Sequence, residues 1–272
     1  MTMKFISGMG LPLRRQGSKN PARLVILFSL LLSTLVGCEN SASHPQDINP
    51  IAAPSKQMDA AVKEITLKTA DGWMIVGDLY TPADLSKGAV ILLHQRSGSA
   101  KDWKPLCLAL QKSGYTALAL DQRGAGRSTK GPGPFGDDAP WPTSGDIAAA
   151  IAYLKPKAKK NIGLVGASYG ANNALIYAAG HPDQVSGIAL YSPGENYHGL
   201  EALPAARIYS GPLVVFYARN DAIAGNGPQQ ILSESASSDK LPREYDDRVH
   251  GTALLNNSSV DDTVAFFQRL IK

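Results

Sequence analysis

The most reactive feature of the sequence is a serine between two glycines. Ser168 lies at the centre of 166–170, Gly-Ala-Ser-Tyr-Gly, which fits the pattern G-x-S-x-G. An apolar run, 162–166, precedes it and a helix-like segment, 169–179, follows it. So tight a strand-to-helix turn leaves no room for side chains at the two glycines and holds the serine in strained φ and ψ angles, with its hydroxyl above the sheet. The pattern predicts a nucleophilic serine, and the alternative is a turn without chemistry.

A serine hydroxyl becomes a strong nucleophile only beside a base that an acid holds in place. Among the five histidines, His250 fits the base best, because it follows a predicted strand late in the chain. Asp221 fits the acid, because it follows the predicted strand 212–217 and precedes His250 by 29 residues. Asp246 and Asp247 are rival acids, but they fall in the predicted strand before His250, where reach and direction are poorer.

The elements that must position these residues alternate between strand-like and helix-like patterns from residue 62 onward. Two strands joined by a turn come first, and short apolar runs, typical of strands covered on both faces, follow with helices between them. The predicted strands are 62–67, 74–80, 88–93, 115–120, 162–166, 185–191, 212–217 and 243–248. The predicted helices are 103–112, 146–153 with Ser144 as its N-cap, 169–179, 228–236 and 260–271. This alternation predicts one α/β domain with a mostly parallel sheet and helices on both faces.

The serine, aspartate and histidine follow one another in the order expected of the α/β-hydrolase fold. Residues 62–272 resemble that superfamily. Two further motifs carry the resemblance: Leu92–Gly98 looks like the family's H-G-x loop after strand three, and Asp121–Ser128 looks like its D-x-R-G-x-G-x-S loop after strand four. The chain is most similar to small uncapped esterases and dienelactone-hydrolase-like enzymes, with Ser rather than Cys at the nucleophile. The resemblance implies an eight-stranded sheet, and Asp121 and Arg123 are expected to be structural loop anchors.

The resemblance also implies an oxyanion hole made of two backbone N–H groups. One is that of Tyr169, and the other belongs to the loop after strand three. Matching His94 to the family's histidine makes Arg96 the second donor, but Gln95 replaces the usual glycine, so Gln95 remains an alternative donor. Arg96 is also either a contact for an anionic substrate or a solvated loop cation, and His94 is expected to fix the loop.

Hydrolases of this kind often carry a cap between strand six and the acid. Only about 27 residues separate Pro193 from Asp221 here, and they include a predicted strand, so a large cap is excluded and the cleft should be open. Side chains that could line the cleft, with packing or surface roles equally open, are Tyr197, His198, Tyr209 and the loop 130–143 with Phe135 and Trp141.

The implied reaction is hydrolysis of a small-molecule carboxylic ester through an acyl-enzyme on Ser168, with His250 as base. Thioesterase, peptidase or acyltransferase chemistry on the same triad is the alternative. An inactive, lipid-anchored binding protein is the alternative from another class. No metal or organic cofactor is expected, because no Cys/His cluster has ligand spacing and no G-x-x-x-x-G-K-[ST] phosphate loop occurs.

The first 37 residues are typical of a signal peptide. Basic residues precede the apolar run Leu24–Val36, about 13 residues long, which is short of the roughly 20 that span a membrane. The run ends in Leu-Val-Gly-Cys at 35–38, which resembles the lipobox of bacterial lipoproteins, in which the Cys receives lipid chains such as palmitate. A non-cleaved anchor and an ordinary signal peptide are the alternatives. We predict a signal peptide over 1–37, a polar tether over 38–60 and an α/β-hydrolase domain over 61–272.

The net charge of +4 belongs to this leader. It holds five of the 27 Lys and Arg residues and no acidic residue, so the rest of the chain has 22 basic against 23 acidic side chains. No basic patch with stacking aromatics remains, which excludes nucleic acid as a partner. We expect membrane attachment through lipid on Cys38 at the periplasmic face of the bacterial envelope; Glu39, rather than Asp, favours the outer membrane in a Gram-negative host. Cys107 would then have no disulfide partner and should be buried.

Overall fold

The structure, a computed structural model, describes residues 61–131, 143–158 and 161–272. The predicted leader, Cys38 and the predicted tether lie outside the described residues, and so do Phe135 and Trp141. Within the described ranges, no helix has both the length and the apolar character needed to cross a membrane.

Eight strands form the main sheet, and it is mostly parallel, as predicted. They are β1 (Ala61–Lys68), β2 (Met74–Thr81), β3 (Ala89–Leu93), β4 (Thr116–Leu120), β5 (Ile162–Ala167), β6 (Gly187–Tyr191), β9 (Leu213–Ala218) and β10 (Lys240–Tyr245). A separate two-stranded ribbon consists of β7 (Asn196–Tyr197) and β8 (Leu200–Glu201). The sheet order is β1-β2-β4-β3-β5-β6-β9-β10; β2 runs antiparallel to both β1 and β4, and all other neighbours are parallel.

The central strands are buried on both faces because their side chains alternate between two apolar cores. In β3, Ile91 and Leu93 belong to one core, whereas Val90 and Leu92 belong to the other. A strand between two helix layers therefore needs apolar residues at every position, which explains the continuous apolar runs.

Helices cover both faces of the sheet. They are α1 (Lys104–Lys112), α2 (Ser144–Ala158), α3 (Tyr169–Gly180), α4 (Ala202–Ile208), α5 (Gly227–Glu234) and α6 (Asn257–Leu270). One core contains side chains of α1 and α6, among them Leu110 and Phe267, and the other contains side chains of α2 to α5. Cys107, on α1, is a buried free thiol, which confirms the predicted burial.

Three predictions about local elements were wrong. Helix α2 already includes Ser144, and the carbonyl of Thr143 accepts the N–H groups of Asp146 and Ile147, so Ser144 is not the N-cap. Strand β10 ends at residue 245, which places the rival acids after the strand and not within it. The pairing with β9 determines where β10 begins and ends. Because β10 is an edge strand whose side chains alternate in exposure, it has no continuous apolar run from which the sequence could predict these ends.

The third departure lies in the connection between β6 and β9. The sequence predicted no element there, but it forms the β7–β8 ribbon and α4, which is only seven residues long. His198 and Gly199 turn the ribbon with φ angles of 52° and 84°. A ribbon and one short helix do not make a large cap, so this side of the carboxyl edge of the sheet stays open, as predicted.

Candidate active site

Ser168 lies in the turn between β5 and α3 with a φ of 52°, a value that a non-glycine residue seldom adopts. A Cβ on Gly166 would come within 2.2 Å of the carbonyl oxygen of Gly170, and one on Gly170 would come within 2.3 Å of the Leu93 oxygen. The Ser168 N–H donates to the carbonyl of Tyr191 on β6 at 2.8 Å. The cramped turn predicted from the glycines is therefore confirmed.

The structure brings Ser168, His250 and Asp221 into one line. The Ser168 hydroxyl oxygen lies 2.7 Å from Nε2 of His250, and Nδ1 of His250 lies 2.7 Å from Oδ2 of Asp221. A carboxylate beside Nδ1 requires the proton on that nitrogen, which leaves Nε2 as the acceptor for the serine hydroxyl. This arrangement can take a proton from Ser168 as its oxygen attacks.

Asp221 is buried and held as an anion. Its side chain is 1% exposed, and its Oδ1 accepts the N–H groups of Ile223 at 3.0 Å and Ala224 at 3.1 Å. Burial raises the pKa of Asp221, but the hydrogen bonds from His250, Ser192 and Ala224 outweigh it and hold the pKa below its usual value. The carboxylate thus stays charged at neutral pH and fixes the orientation of the imidazole.

The two rival acids lie away from His250. The side chain of Asp246 is 82% exposed and faces Arg219 at 3.4 Å. Asp247 is also exposed, and its Oδ1 accepts the backbone N–H of Arg248. Among these aspartates, only Asp221 makes the hydrogen bond to the histidine.

Ser192 links Asp221 to the loop that carries His250 and Gly251, called here the histidine loop. Ser192 was not identified from the sequence. It follows β6 directly, is fully buried and has a φ of 48°. Its hydroxyl donates to Asp221 and accepts the Gly251 N–H at 3.0 Å. Strand register could have indicated it, because residue 167 of β5 pairs with Tyr191 of β6 and so sets residues 168 and 192 side by side.

An open cleft with a volume of about 270 Å³ lies over Ser168. It is lined by Gln95, Arg96, Ser168, Tyr169, Tyr197, His198, Ile223 and His250. The Tyr197 ring meets the His250 ring edge-on at 6.1 Å, and its hydroxyl donates to the carbonyl of Ser192. Burial raises the pKa of Tyr197, so its hydroxyl remains protonated in this cleft.

The remaining cleft candidates divide between the wall and the core. Nη1 of Arg96 lies 2.6 Å from Nε2 of His198, so these two side chains are hydrogen-bonded to each other on the cleft wall. Tyr209 is buried instead, and its hydroxyl donates to the carbonyl of Pro212, which makes it a packing residue.

The three proposed oxyanion donors surround the same cleft. Tyr169 is the first residue of α3, where the N–H is not used by the helix's own hydrogen bonds and the helix dipole favours negative charge. Gln95 and Arg96 follow β3, and the pairing of Leu93 with Gly166 sets the ends of β3 and β5 level. The three residues predicted from the resemblance thus line the cleft that contains Ser168.

His94, which precedes these donors, fixes their loop as expected. Burial lowers its pKa, so the ring is neutral at pH 7. Its Nδ1–H donates to the carbonyl of Gln95 at 2.6 Å, and its Nε2 accepts the N–H of Gln122 at 3.0 Å. Both ring nitrogens are therefore occupied by hydrogen bonds that join the loop after β3 to the loop after β4.

Asp121 and Arg123 stabilise the loop after β4. Asp121 accepts the N–H of Ala100 at 2.7 Å and the side chain of Arg127 at 2.7 Å. Arg123 forms ion pairs with two aspartates, at 2.6 and 2.7 Å. Both therefore act as the loop anchors that the sequence predicted. Over the described part of the chain, no group of three metal-ligating side chains could hold a metal ion.

Comparison with known proteins identifies one family. Residues 88–246, more than half of the chain, match the family described as alpha/beta hydrolase fold. The match includes Ser168 and Asp221 and ends four residues before His250.

Among individual proteins, epoxide hydrolase B of Mycobacterium tuberculosis is 29% identical over 126 residues, which are 46% of this chain and 34% of that protein. The chain thus matches about a third of the length of this curated relative. The structure also resembles the esterase Pf2001 of Pyrococcus furiosus, with a TM-score of 0.66 and 20% identity over 78% of this chain and 94% of that one. The structure is also similar to a dienelactone hydrolase of Anabaena variabilis, with a TM-score of 0.62 and 15% identity over 78% of this chain and 99% of that chain. At these identities the two structures show a shared fold.

Proposed function

The chain belongs to the alpha/beta hydrolase family, and from that premise we propose that it is a serine hydrolase that cleaves carboxylic esters through an acyl-enzyme on Ser168. One observation carries the proposal: the Ser168 hydroxyl lies 2.7 Å from Nε2 of His250, whose other nitrogen lies 2.7 Å from buried Asp221.

The mechanism follows from this line of atoms. His250 takes the proton of Ser168 as the serine oxygen attacks the acyl carbon, and Asp221 stabilises the imidazolium that forms. The backbone N–H of Tyr169 and that of Gln95 or Arg96 donate hydrogen bonds to the oxyanion, and these bonds strengthen as negative charge develops on the oxygen. His250 then protonates the leaving alcohol. In the second half of the reaction His250 takes a proton from water, whose oxygen attacks the acyl carbon, and returns that proton to the Ser168 oxygen as the acyl–serine bond breaks and the carboxylic acid leaves.

The serine itself favours acyl transfer over epoxide opening, the reaction in the name of the mycobacterial relative. Attack of Ser168 on an epoxide carbon would leave an alkyl ether, which water does not hydrolyse under mild conditions. Attack on an ester leaves an acyl-serine ester, which water does hydrolyse. Thioesterase, peptidase and acyltransferase activities use the same intermediate and remain the alternatives.

A fluorophosphonate probe tests the enzyme against the alternative of an inactive binding protein. We expect the full-length chain to be labelled and Ser168→Ala to remain unlabelled. Substrate panels of p-nitrophenyl esters, acyl thioesters, peptide anilides and styrene oxide then rank the chemistries, with turnover expected to be fastest on the esters. Absence of labelling together with absence of turnover would overturn the proposal.

We also propose that lipid on Cys38 anchors the domain at the periplasmic face of a bacterial envelope. The support is the sequence Leu-Val-Gly-Cys at 35–38 directly after an apolar run. In an expressing bacterium, full-length chain should incorporate labelled palmitate and partition into the detergent phase, whereas Cys38→Ser should do neither. Cys107→Ala is the matched control and should behave as the full-length chain does. Equal labelling of Cys38→Ser and wild type would refute the anchor.

A further inference from the structure

The side chain of Gln95 reaches from the loop after β3 to the loop that carries His250. Its Oε1 accepts the backbone N–H of Thr252 at 2.8 Å and lies 3.2 Å from the Thr252 hydroxyl oxygen. Gln95 and Thr252 are 157 positions apart in the chain. One amide oxygen therefore binds two donors on a residue that follows His250 by two positions.

The backbone between His250 and Thr252 fits closely around this amide. Gly251 has a φ of 58°, and a Cβ there would lie 1.9 Å from Oε1 of Gln95. On its other side, the Gly251 N–H donates to the hydroxyl of Ser192. The histidine loop is thus held by hydrogen bonds from residues after two different strands, β3 and β6.

Gln95 can hold the loop in place because its own backbone is fixed. Its carbonyl accepts Nδ1–H of His94 at 2.6 Å and the N–H of Gly98 at 2.9 Å. His94 is in turn bound to Gln122, whose side chain donates to the His94 carbonyl at 2.6 Å. A continuous set of hydrogen bonds therefore runs from the end of β4, through Gln95, to the histidine loop.

We propose that Gln95 is a positioning residue that sets His250 against Ser168 through its contact with Thr252. The Gln95 side chain then joins the loop after β3, which would supply an oxyanion donor, to the loop that carries His250. This inference rests on the proposed function, since it assigns Gln95 a role in the activation of the serine. A displacement of about 1 Å in such a site can reduce the rate about a hundredfold.

The test compares Gln95→Met with Gln95→Glu, using p-nitrophenyl acetate as substrate. Methionine has a similar length but no oxygen acceptor, so we expect kcat to fall about 10- to 100-fold while KM changes less than about twofold. Fluorophosphonate labelling should slow by a similar factor. Glutamate keeps an oxygen acceptor at the same reach, and Gln95→Glu should recover at least about a third of the wild-type kcat.

Gln111→Met is the matched control. Gln111 is buried, and its Nε2 donates to the carbonyls of Ala61 at 3.0 Å and Thr81 at 2.8 Å, among residues that do not line the cleft. This variant also loses buried hydrogen bonds, so its Tm should fall, but its kcat at 25 °C should stay within about twofold of wild type. A Gln95→Met enzyme with kcat within twofold of wild type, or Gln111→Met and Gln95→Met with equal losses, would overturn the inference.

Amide hydrogen exchange separates this inference from the proposed function. The Thr252 N–H should exchange at least about tenfold faster in Gln95→Met than in wild type, whether or not the protein turns over esters. A wild-type chain that neither hydrolyses esters nor reacts with the probe would end the proposed function and with it the role of Gln95 in activating the serine, but faster exchange at Thr252 in Gln95→Met would still show that Gln95 holds the loop that carries His250. Unchanged exchange at Thr252 would end the positioning role alone.

Discussion

The hydroxyl of Ser168 and Nε2 of His250 meet at 2.7 Å although the two residues are 82 positions apart in the chain. Ser168 follows the central strand β5, and His250 follows the edge strand β10 after a short loop. Parallel strands carry their carboxyl ends to one edge of the sheet, so the loops after them can meet there. The predictions below test what this contact does and what supports it.

Replacing Ser168 with alanine should lower kcat for p-nitrophenyl esters by at least about a thousandfold, because the hydroxyl that would carry the acyl group is removed. Steady-state kinetics at saturating ester measures the loss. Ser233→Ala, on the exposed side of α5, is the control and should keep wild-type rates. Retention of more than about a tenth of the activity by Ser168→Ala would refute its assignment as nucleophile.

His250→Ala should cost a similar factor, at least about a thousandfold in kcat, because the serine loses its base. Residues that act as one unit are strongly non-additive, so the double variant with Ser168→Ala should be hardly slower than either single variant. Kinetics on the three variants measures this. If the two losses multiplied, His250 and Ser168 would act independently, contrary to the proposed mechanism.

Asp221→Asn should lower kcat by at least about a hundredfold, but less than Ser168→Ala, because an amide no longer stabilises the required tautomer and the imidazolium. Asp246→Asn and Asp247→Asn supply matched controls on exposed aspartates of the same region, and we expect both to stay within about twofold of wild type. Inactivation by either control, with Asp221→Asn active, would show that the acid is misassigned.

Gly170→Ala should destabilise the fold by about 3 kcal/mol or more, because the added Cβ would lie 2.3 Å from the Leu93 oxygen and 2.6 Å from the His94 oxygen. Urea unfolding followed by tryptophan fluorescence measures the change. Gly180→Ala, in the same helix, has nothing within 4 Å of the new Cβ and should be neutral or stabilising by up to about 1 kcal/mol. Equal midpoints for the two variants would contradict the close packing of the turn.

Asp121→Asn should lower the free energy of unfolding by about 2 kcal/mol at pH 7. Burial raises the pKa of Asp121, but hydrogen bonds from Arg127 and the Ala100 N–H outweigh it, so the folded-state pKa lies below the usual 3.8. A lowered pKa stabilises the fold above the unfolded-state value, and this contribution is lost as the pH falls through the folded-state value.

The difference between wild type and Asp121→Asn should therefore be constant near neutrality and shrink as the pH drops below about 3.8. Urea midpoints at pH 7, 5 and 3 measure it. Asp84→Asn, at an exposed position, is the control and should change stability by less than about 0.5 kcal/mol at each pH. A difference that grew towards low pH would contradict the assignment.

Much of the fold was predictable because its signals are local. Strands β3 to β6 and β9 are apolar at nearly every position, which only a strand between two helix layers requires. The turn at Ser168 was also predictable, because two glycines four residues apart indicate positions at which any side chain would collide with neighbouring backbone. By contrast, the edge strand β10 and the short helix α4 were misplaced or missed, because pairing and packing with distant residues, not periodicity, define their ends.

The sequence by itself determined the layered sheet, the nucleophile turn and the strand after which each acid or base candidate must lie. Only the tertiary structure decided that Asp221, not Asp246 or Asp247, reaches His250, and that Ser192 and Gln95 hold the histidine loop. The physical reason is the range of the interactions. The periodicity of apolar residues indicates which face of a strand or helix is buried. A hydrogen bond between residues 157 positions apart depends instead on how the loops at the sheet edge meet, and neither local sequence predicts it.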